Sequence, residues 1–156
     1  MRPQDVAILL KICAIEDQTW QLSGLAASLR ISLSEVSESL SRSQQAGLID
    51  FAKKRVIRQN LFDFLSHGLW YVFPQQPGPW VRGVPTAHSH PSMKSIFPSE
   101  MDFVWPDSKA NIIGLQIDPL YSKRVEAVKE DEKFYQLLAF TDVLRVGKIR
   151  EIKYAL

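Results

Sequence analysis

Residues 23–58 read "SGLAASLRISLSEVSESLSRSQQAGLIDFAKKRVIR": two short amphipathic segments, a glycine and a basic cluster in little chain. In the first segment Ser23 can cap a helix whose inward face is Leu22, Leu25, Ala26 and Leu29. Arg30 and Ile31 make a turn. Ser32 and Glu35 then stand in the S-x-x-E relation of a capping box, in which each side chain satisfies an orphan amide of a helix start. The next helix is expected over Leu33–Ala46, with Leu33, Val36 and Leu40 as a narrow apolar stripe. Gly47 is placed to end it in a left-handed conformation. Leu48 and Ile49 resume a strand, and a basic loop returns through Arg55, Val56 and Ile57.

Upstream, Pro3 at a first helical position and Val6, Leu9, Leu10, Cys13 and Ala14 at three-and-four spacing predict a helix over residues 3–16. "TWQL" at Thr19–Leu22 is too short for a helix and reads as a brief strand. Helix, short strand, helix, tight turn, helix, strand and basic loop is the element order of a winged helix-turn-helix. The stretch "LAASLRISLSEVSESLSRSQQAGLI" resembles the MarR-like winged-helix transcription regulators, over roughly residues 5–58. The resemblance implies that Leu25 and Ala26 pack the first half of the motif, that Val36 and Leu40 pack its second, and that Gly47, Leu48 and Ile49 lead into the wing. It also implies a dimeric repressor that binds double-stranded DNA. The chain is expected to be cytoplasmic from its apolar pattern, which holds neither span nor leader.

A narrow apolar stripe leaves the opposite helix face open. That face carries Ser34, Ser37, Glu38, Ser41, Arg42 and Gln45, short hydroxyls and longer polar groups able to hydrogen-bond base edges and phosphates in a major groove about 12 Å wide. Lys53, Lys54 and Arg55 fall on the wing tip and Arg58 just beyond, where cations can lie on the backbone and release counterions. Arg30 is a further phosphate candidate. Glu38 departs from the pattern, since many relatives carry a basic residue there. A carboxylate facing phosphate is repulsive unless it accepts from a cytosine amine. The net charge of +2 is too small for strong nonspecific nucleic-acid binding; residues 1–60 hold eight Lys/Arg against six Asp/Glu, and residues 61–156 balance eleven against eleven. Any nucleic-acid role therefore rests on a local patch.

Beyond the wing, "NLFDFLSHGLWYVFP" at 60–74 predicts a fourth helix, or helix plus strand, with Leu61, Phe64, Leu65 and Leu69 on one side. The run Trp70, Tyr71, Val72, Phe73 reads first as core, with a sensor pocket lined by Trp70, Tyr71, Trp80 and Trp105 as the functional alternative. Recurrent Pro and Gly from Pro74 to Pro106 exclude regular helix, and Trp80, Val81, Val84, Ile96, Phe97 and Trp105 predict an extended excursion that wraps and packs. A short strand is expected at Ile112–Ile117. After Ser122, Val125, Val128, Phe134, Leu137, Leu138, Thr141, Val143, Leu144 and Val146 predict helix, broken at Gly147. Terminal helices in the regulators this chain resembles commonly form a dimer surface, and a two-fold dimer presents two reading helices to half-sites. "GLWYVFP", "RGVPTAHS", "VWPD" and "IDPLY" are similar to bacterial chains of uncharacterised chemistry that pair a winged-helix front with such a back. That resemblance implies a regulator or an antitoxin-like protein with a protein partner.

The expected architecture is mainly α with a small β wing (α+β). Residues 1–73 form the DNA-binding domain, 74–120 an extended proline- and aromatic-rich segment, and 121–156 a C-terminal helical dimerisation region. At 46% hydrophobic the chain can bury one ordinary core, or a small domain plus an appended one. No apolar run is long enough to span a bilayer, and Asp5, Lys11 and Glu16 interrupt the first one, so neither membrane span nor leader is expected. Cys13, the sole cysteine, excludes a disulfide within one chain and reads as a buried structural thiol. His88 and His90 form an H-x-H pair with Glu100 and Asp102 following, a weak metal motif that more often marks polar surface. No nucleophile elbow, phosphate-binding glycine loop or zinc-protease helix is present. No enzyme activity and no cofactor are expected.

Overall fold

The computed structural model describes residues 1–15, 19–121, 128 and 130–156. It is α-rich with one small mixed sheet, an α+β chain dividing into two compact units: residues 1–64 with 120–134, and residues 65–119 with 135–156.

The first unit begins with α1 (Pro3–Ile15), α2 (Leu22–Leu29) and α3 (Leu33–Gln45). Helix α1 buries more than the expected stripe: Val6, Ala7, Ile8, Leu9, Leu10 and Ile12 are all in the core. Such all-round burial marks a helix covered on several sides. Cys13 is half-buried, and burial pushes its thiol up, against the pull of Arg58. The strand expected at Thr19–Leu22 does not form, because Gln21 is already the extended residue before α2 and Leu22 is its first helical residue. Ser23 consequently lies inside the helix rather than at its cap. Leu25, Ala26 and Leu29 are buried as their spacing requires.

Helix α2 ends on Arg30 at φ 56°, and the amides of Arg30 and Ile31 donate to the carbonyls of Ala27 and Ala26, each at 3.2 Å. These bonds satisfy the last orphan carbonyls of α2 and turn the chain into α3. Ser32 caps α3 by accepting the Glu35 amide at 3.1 Å. Val36 and Leu40 are buried, but Leu33 is 51% exposed, so the inner stripe is narrower than its sequence suggested. Gly47, at φ 75°, closes the helix, and Leu48 donates to the Ser43 carbonyl at 2.9 Å. Ile49 and Val56 then pair as a single antiparallel bridge around a short hairpin. Tyr121 and Phe134 complete this unit's core: the Tyr121 hydroxyl donates to the Leu29 carbonyl, and Phe134 lies against Tyr121 with ring centroids 6.0 Å apart.

Helix α4 (Arg58–His67) carries the chain to the boundary, followed by the single turn α5 (Leu69–Val72). In the second unit β1 (Trp80–Pro85), β2 (Phe103–Pro106) and β3 (Ile112–Gln116) form a closed arrangement in which each strand pairs with both others. β1 is antiparallel to both partners, and β2 runs parallel to β3. Gly83 is the hinge: it pairs with Ile112 of β3 on one side and Pro106 of β2 on the other. A Cβ at that position would lie 2.0 Å from the Trp105 carbonyl oxygen, so only glycine lets β1 change partners there.

The proline-rich excursion is thus more regular than expected. Besides β1 and β2 it holds a 3₁₀ turn (Ala87–Ser89) and a one-turn helix, α6 (Pro91–Lys94), so helix was not excluded after all. Pro91 sits at the start of α6, where its missing amide costs nothing. Packing of the excursion is partial, with Val84 and Trp105 buried but Trp80 and Ile96 exposed. Helix α7 (Glu132–Val146) is the centre of the C-terminal region, with Leu138, Ala139, Thr141, Asp142, Val143 and Arg145 all buried. Gly147 ends it as expected, and α8 (Ile149–Ala155) follows. Val125 and Glu16 lie outside the described residues.

Polar bonds hold the second unit together at long range. The Asp142 carboxylate accepts from Thr86 Oγ1 and Trp105 Nε1, both at 2.7 Å, and from Arg145 at 2.9 Å. Arg145 also donates to the carbonyls of Phe73 and Asp118, each at 3.0 Å. Two side chains therefore fasten five chain segments. Burial pushes the Asp142 carboxyl above its ordinary range, against the pull of Arg145, Thr86 and Trp105.

Candidate nucleic-acid interface

The expected reading face of α3 divides in two. Ser34, Ser37, Glu38 and Gln45 are exposed, whereas Ser41 and Arg42 are half-buried. Arg42 is already engaged: its Nε and Nη2 donate to the two carboxylate oxygens of Asp5 at 2.9 and 2.8 Å. Asp5 is wholly buried and also accepts the Arg2 amide at 2.8 Å. Burial alone would raise its carboxyl, but the bonds from Arg42 and the Arg2 amide outweigh that and hold it below its ordinary value. This fork-to-fork pair ties α1 to α3. It leaves Arg42 Nη1 as the guanidinium nitrogen not committed to Asp5. Arg2, Gln4, Glu35, Glu38 and Arg42 line a polar groove of about 260 Å³ here.

The hairpin is built by Asp50. Its carboxylate accepts the amides of Lys54 and Arg55 at 2.7 and 3.1 Å, and those two bonds hold the carboxyl below its ordinary range. Its carbonyl accepts the Lys53 amide at 2.9 Å, closing a β-turn with Phe51 and Ala52 at the tip. Lys53 sits at φ 59°, a left-handed conformation that costs a lysine about 1 kcal/mol more than a glycine. The lysine instead gives a charge beside α3, its Nζ lying 3.0 Å from Ser41 Oγ. Lys54 is anchored from behind. Its ammonium lies 4.6 Å from the Trp20 ring centroid, and Trp20 Nε1 donates to the Lys54 carbonyl at 3.2 Å. Arg55 and Arg58 are exposed.

Arg30 lies apart from this cluster in its chemistry. It forms an ion pair with Glu130 at 3.7 Å, with both side chains largely in water. The residues that sequence reasoning missed are Asp5, Trp20, Asp50 and Phe51. Asp5 and Trp20 gave no local signal, because their partners lie 37 and 34 residues away. Asp50 and Phe51 were legible in principle: an Asx residue before a turn is a turn builder, and a phenylalanine among lysines is out of keeping with a solvated loop.

The H-x-H pair is not a surface motif. His88 and His90 are both buried. His88 Nε2 donates to the Met101 carbonyl at 2.9 Å, and His90 Nδ1 accepts the Ser92 amide at 3.1 Å as the cap of α6. Asp102 pairs instead with Lys94 at 3.5 Å. Among the described residues, no three His, Cys, Asp or Glu side chains gather as a metal site would require. The four aromatics expected in one core or pocket separate: Trp105 is buried, while Trp70, Tyr71 and Trp80 are 52%, 80% and 58% exposed. Among the described residues no helix is long and apolar enough to cross a membrane. No protein-family model, curated protein or solved structure matches the chain.

Proposed function

We propose that the first unit is a double-stranded DNA-binding module of winged helix-turn-helix type, and that the chain is a transcriptional regulator, acting as a repressor. The observation that carries this reading is the bond between Lys53 Nζ and Ser41 Oγ, which makes the basic hairpin and the open side of α3 one continuous polar surface. Ser34, Ser37 and Gln45 supply hydroxyl and amide groups for base edges, and Lys53, Lys54, Arg55 and Arg58 supply phosphate contacts. Arg42 contributes through Nη1, held in place by Asp5, and Glu38 is the group suited to a cytosine amine. The test is fluorescence anisotropy with duplex DNA from upstream of the protein's own gene and with an unrelated duplex. Tighter binding to the upstream duplex at physiological salt is expected; equal or absent binding would refute the proposal.

The proposal includes a homodimer, which would set two α3 helices against paired half-sites. Helix α7 is spent on its own core, so the dimer surface is assigned to α8 and the Leu156 that follows it, where Ile149, Tyr154 and Leu156 are 73%, 47% and 51% exposed. Sedimentation of wild type against Ile149→Glu checks this, with a shift to monomer expected in the variant.

A second reading is supported by the second unit. Trp70, Tyr71, Trp80 and Ile113 leave large apolar side chains in water, as a protein-interaction module would, including an antitoxin-like one. Alanine at Trp70 and Tyr71 separates the readings: DNA affinity is unchanged under the first, and capture of a protein partner is lost under the second.

A further inference from the structure

Phe51 is 90% exposed, and nothing in the packing of the first unit accounts for it. Its position is nevertheless tightly fixed. The Asp50 carboxylate holds the amides of Lys54 and Arg55, the Asp50 carbonyl holds the Lys53 amide, and the Ile49–Val56 bridge closes the base. Phe51 therefore stands at the first corner of a rigid turn, followed by the small, exposed Ala52 and three consecutive cations. A stiff aromatic at a tip costs little ordering entropy to insert, and flanking cations select an anionic partner.

Resting on the DNA-binding reading above, we propose that Phe51 is a wedge: it enters the minor groove beside α3's site, inserts at a base step and kinks the duplex. Lys53, Lys54 and Arg55 hold the phosphates on either side of the opened step. An apolar side chain partly unstacks one step, and the bent duplex then meets more of the protein. The cost of opening depends on the step, least at pyrimidine–purine steps such as TA and CA/TG. The hairpin thereby selects operators by deformability, at a position where no hydrogen bond reads a base. This supplies specificity that the small net charge does not.

The experiment uses the full chain and a duplex from upstream of its gene, labelled at both ends for energy transfer, with wild type, Phe51→Ala and Phe51→Leu. Wild type is expected to shorten the end-to-end distance on binding. Phe51→Ala should bind roughly tenfold more weakly and leave the duplex straight, and Phe51→Leu should restore most of the bend. Circular dichroism confirms that each variant is folded, which the exposure of residue 51 makes the expected result. A second set of duplexes, with each TA or CA/TG step in turn replaced by a stiff step, should show one position at which wild type loses affinity and Phe51→Ala does not. Wild type that binds without bending, or Phe51→Ala that bends the duplex as wild type does, overturns the wedge while leaving the DNA-binding reading intact. Wild type that binds no duplex overturns both.

Discussion

Each unit contains a buried aspartate bonded to an arginine, and the two pairs behave in opposite ways. Asp5 is held below its ordinary value despite burial, whereas Asp142 is pushed above it. The surroundings explain the difference. The side chain of Arg42 keeps 26% of its surface in water, but that of Arg145 keeps only 5% and is shared with backbone carbonyls of other segments. Asp5–Arg42 ties α1 to α3 through a wholly buried carboxylate and an arginine that stays partly in water. Asp142–Arg145 is the centre around which the second unit is assembled.

The largest expected effect follows from that contrast. Asp142→Ala leaves Arg145 buried without its counter-charge and removes the acceptor for Thr86 and Trp105, a loss of about 3–5 kcal/mol in urea unfolding followed through Trp105 fluorescence. A loss under about 1 kcal/mol would make the network incidental rather than central. Gly83→Ala comes next. Its methyl meets the Trp105 carbonyl at the point where β1 changes partners, so about 2–3 kcal/mol is expected, with no change in the first unit's helical signal.

Arg42→Ala should cost the first unit about 2 kcal/mol, because it strands a buried carboxylate. The pH dependence sharpens the comparison. A depressed carboxyl such as Asp5 or Asp131 contributes stability that is present above its unfolded value, about 3.9, and is lost as pH falls through its folded value. A raised carboxyl such as Asp142 contributes in the opposite sense, fully below its unfolded value and less as pH rises through the folded one. Acidification below about pH 4 should therefore loosen the first unit before the second, read as Trp20 fluorescence changing ahead of Trp105 in single-tryptophan variants. Asp5→Asn should flatten the acid limb of the first unit alone. Simultaneous transitions would contradict the opposition of the two pairs.

The same contrast decides what could be read in the sequence. Helices α1 to α3, the Arg30 turn, the Ser32 cap and the Gly47 stop follow from periodicity and end chemistry acting within a few residues, and all are present. The second unit depends on partners far apart in sequence, such as Thr86 with Asp142 and Phe73 with Arg145, which leave no local pattern. That is why Trp70 and Tyr71 read as core and proved exposed. At the candidate interface the exposed serines and the basic hairpin were legible. The engagement of Arg42 was not, since Asp5 lies 37 residues away.

The smallest structural effect belongs to the hairpin cations. Replacing Lys53, Lys54 and Arg55 together by alanine should change stability by no more than about 1 kcal/mol, because the Lys53–Ser41 bond and the Lys54–Trp20 contact are only partly buried. The same variant gives the most direct test of the central claim, through its affinity for duplex DNA across a series of salt concentrations beside wild type. A DNA-binding hairpin predicts weaker binding to every duplex and a shallower salt slope, by roughly one unit for each phosphate contact removed. Affinity and slope equal to wild type would contradict the claim and move the binding surface to the aromatic face of the second unit.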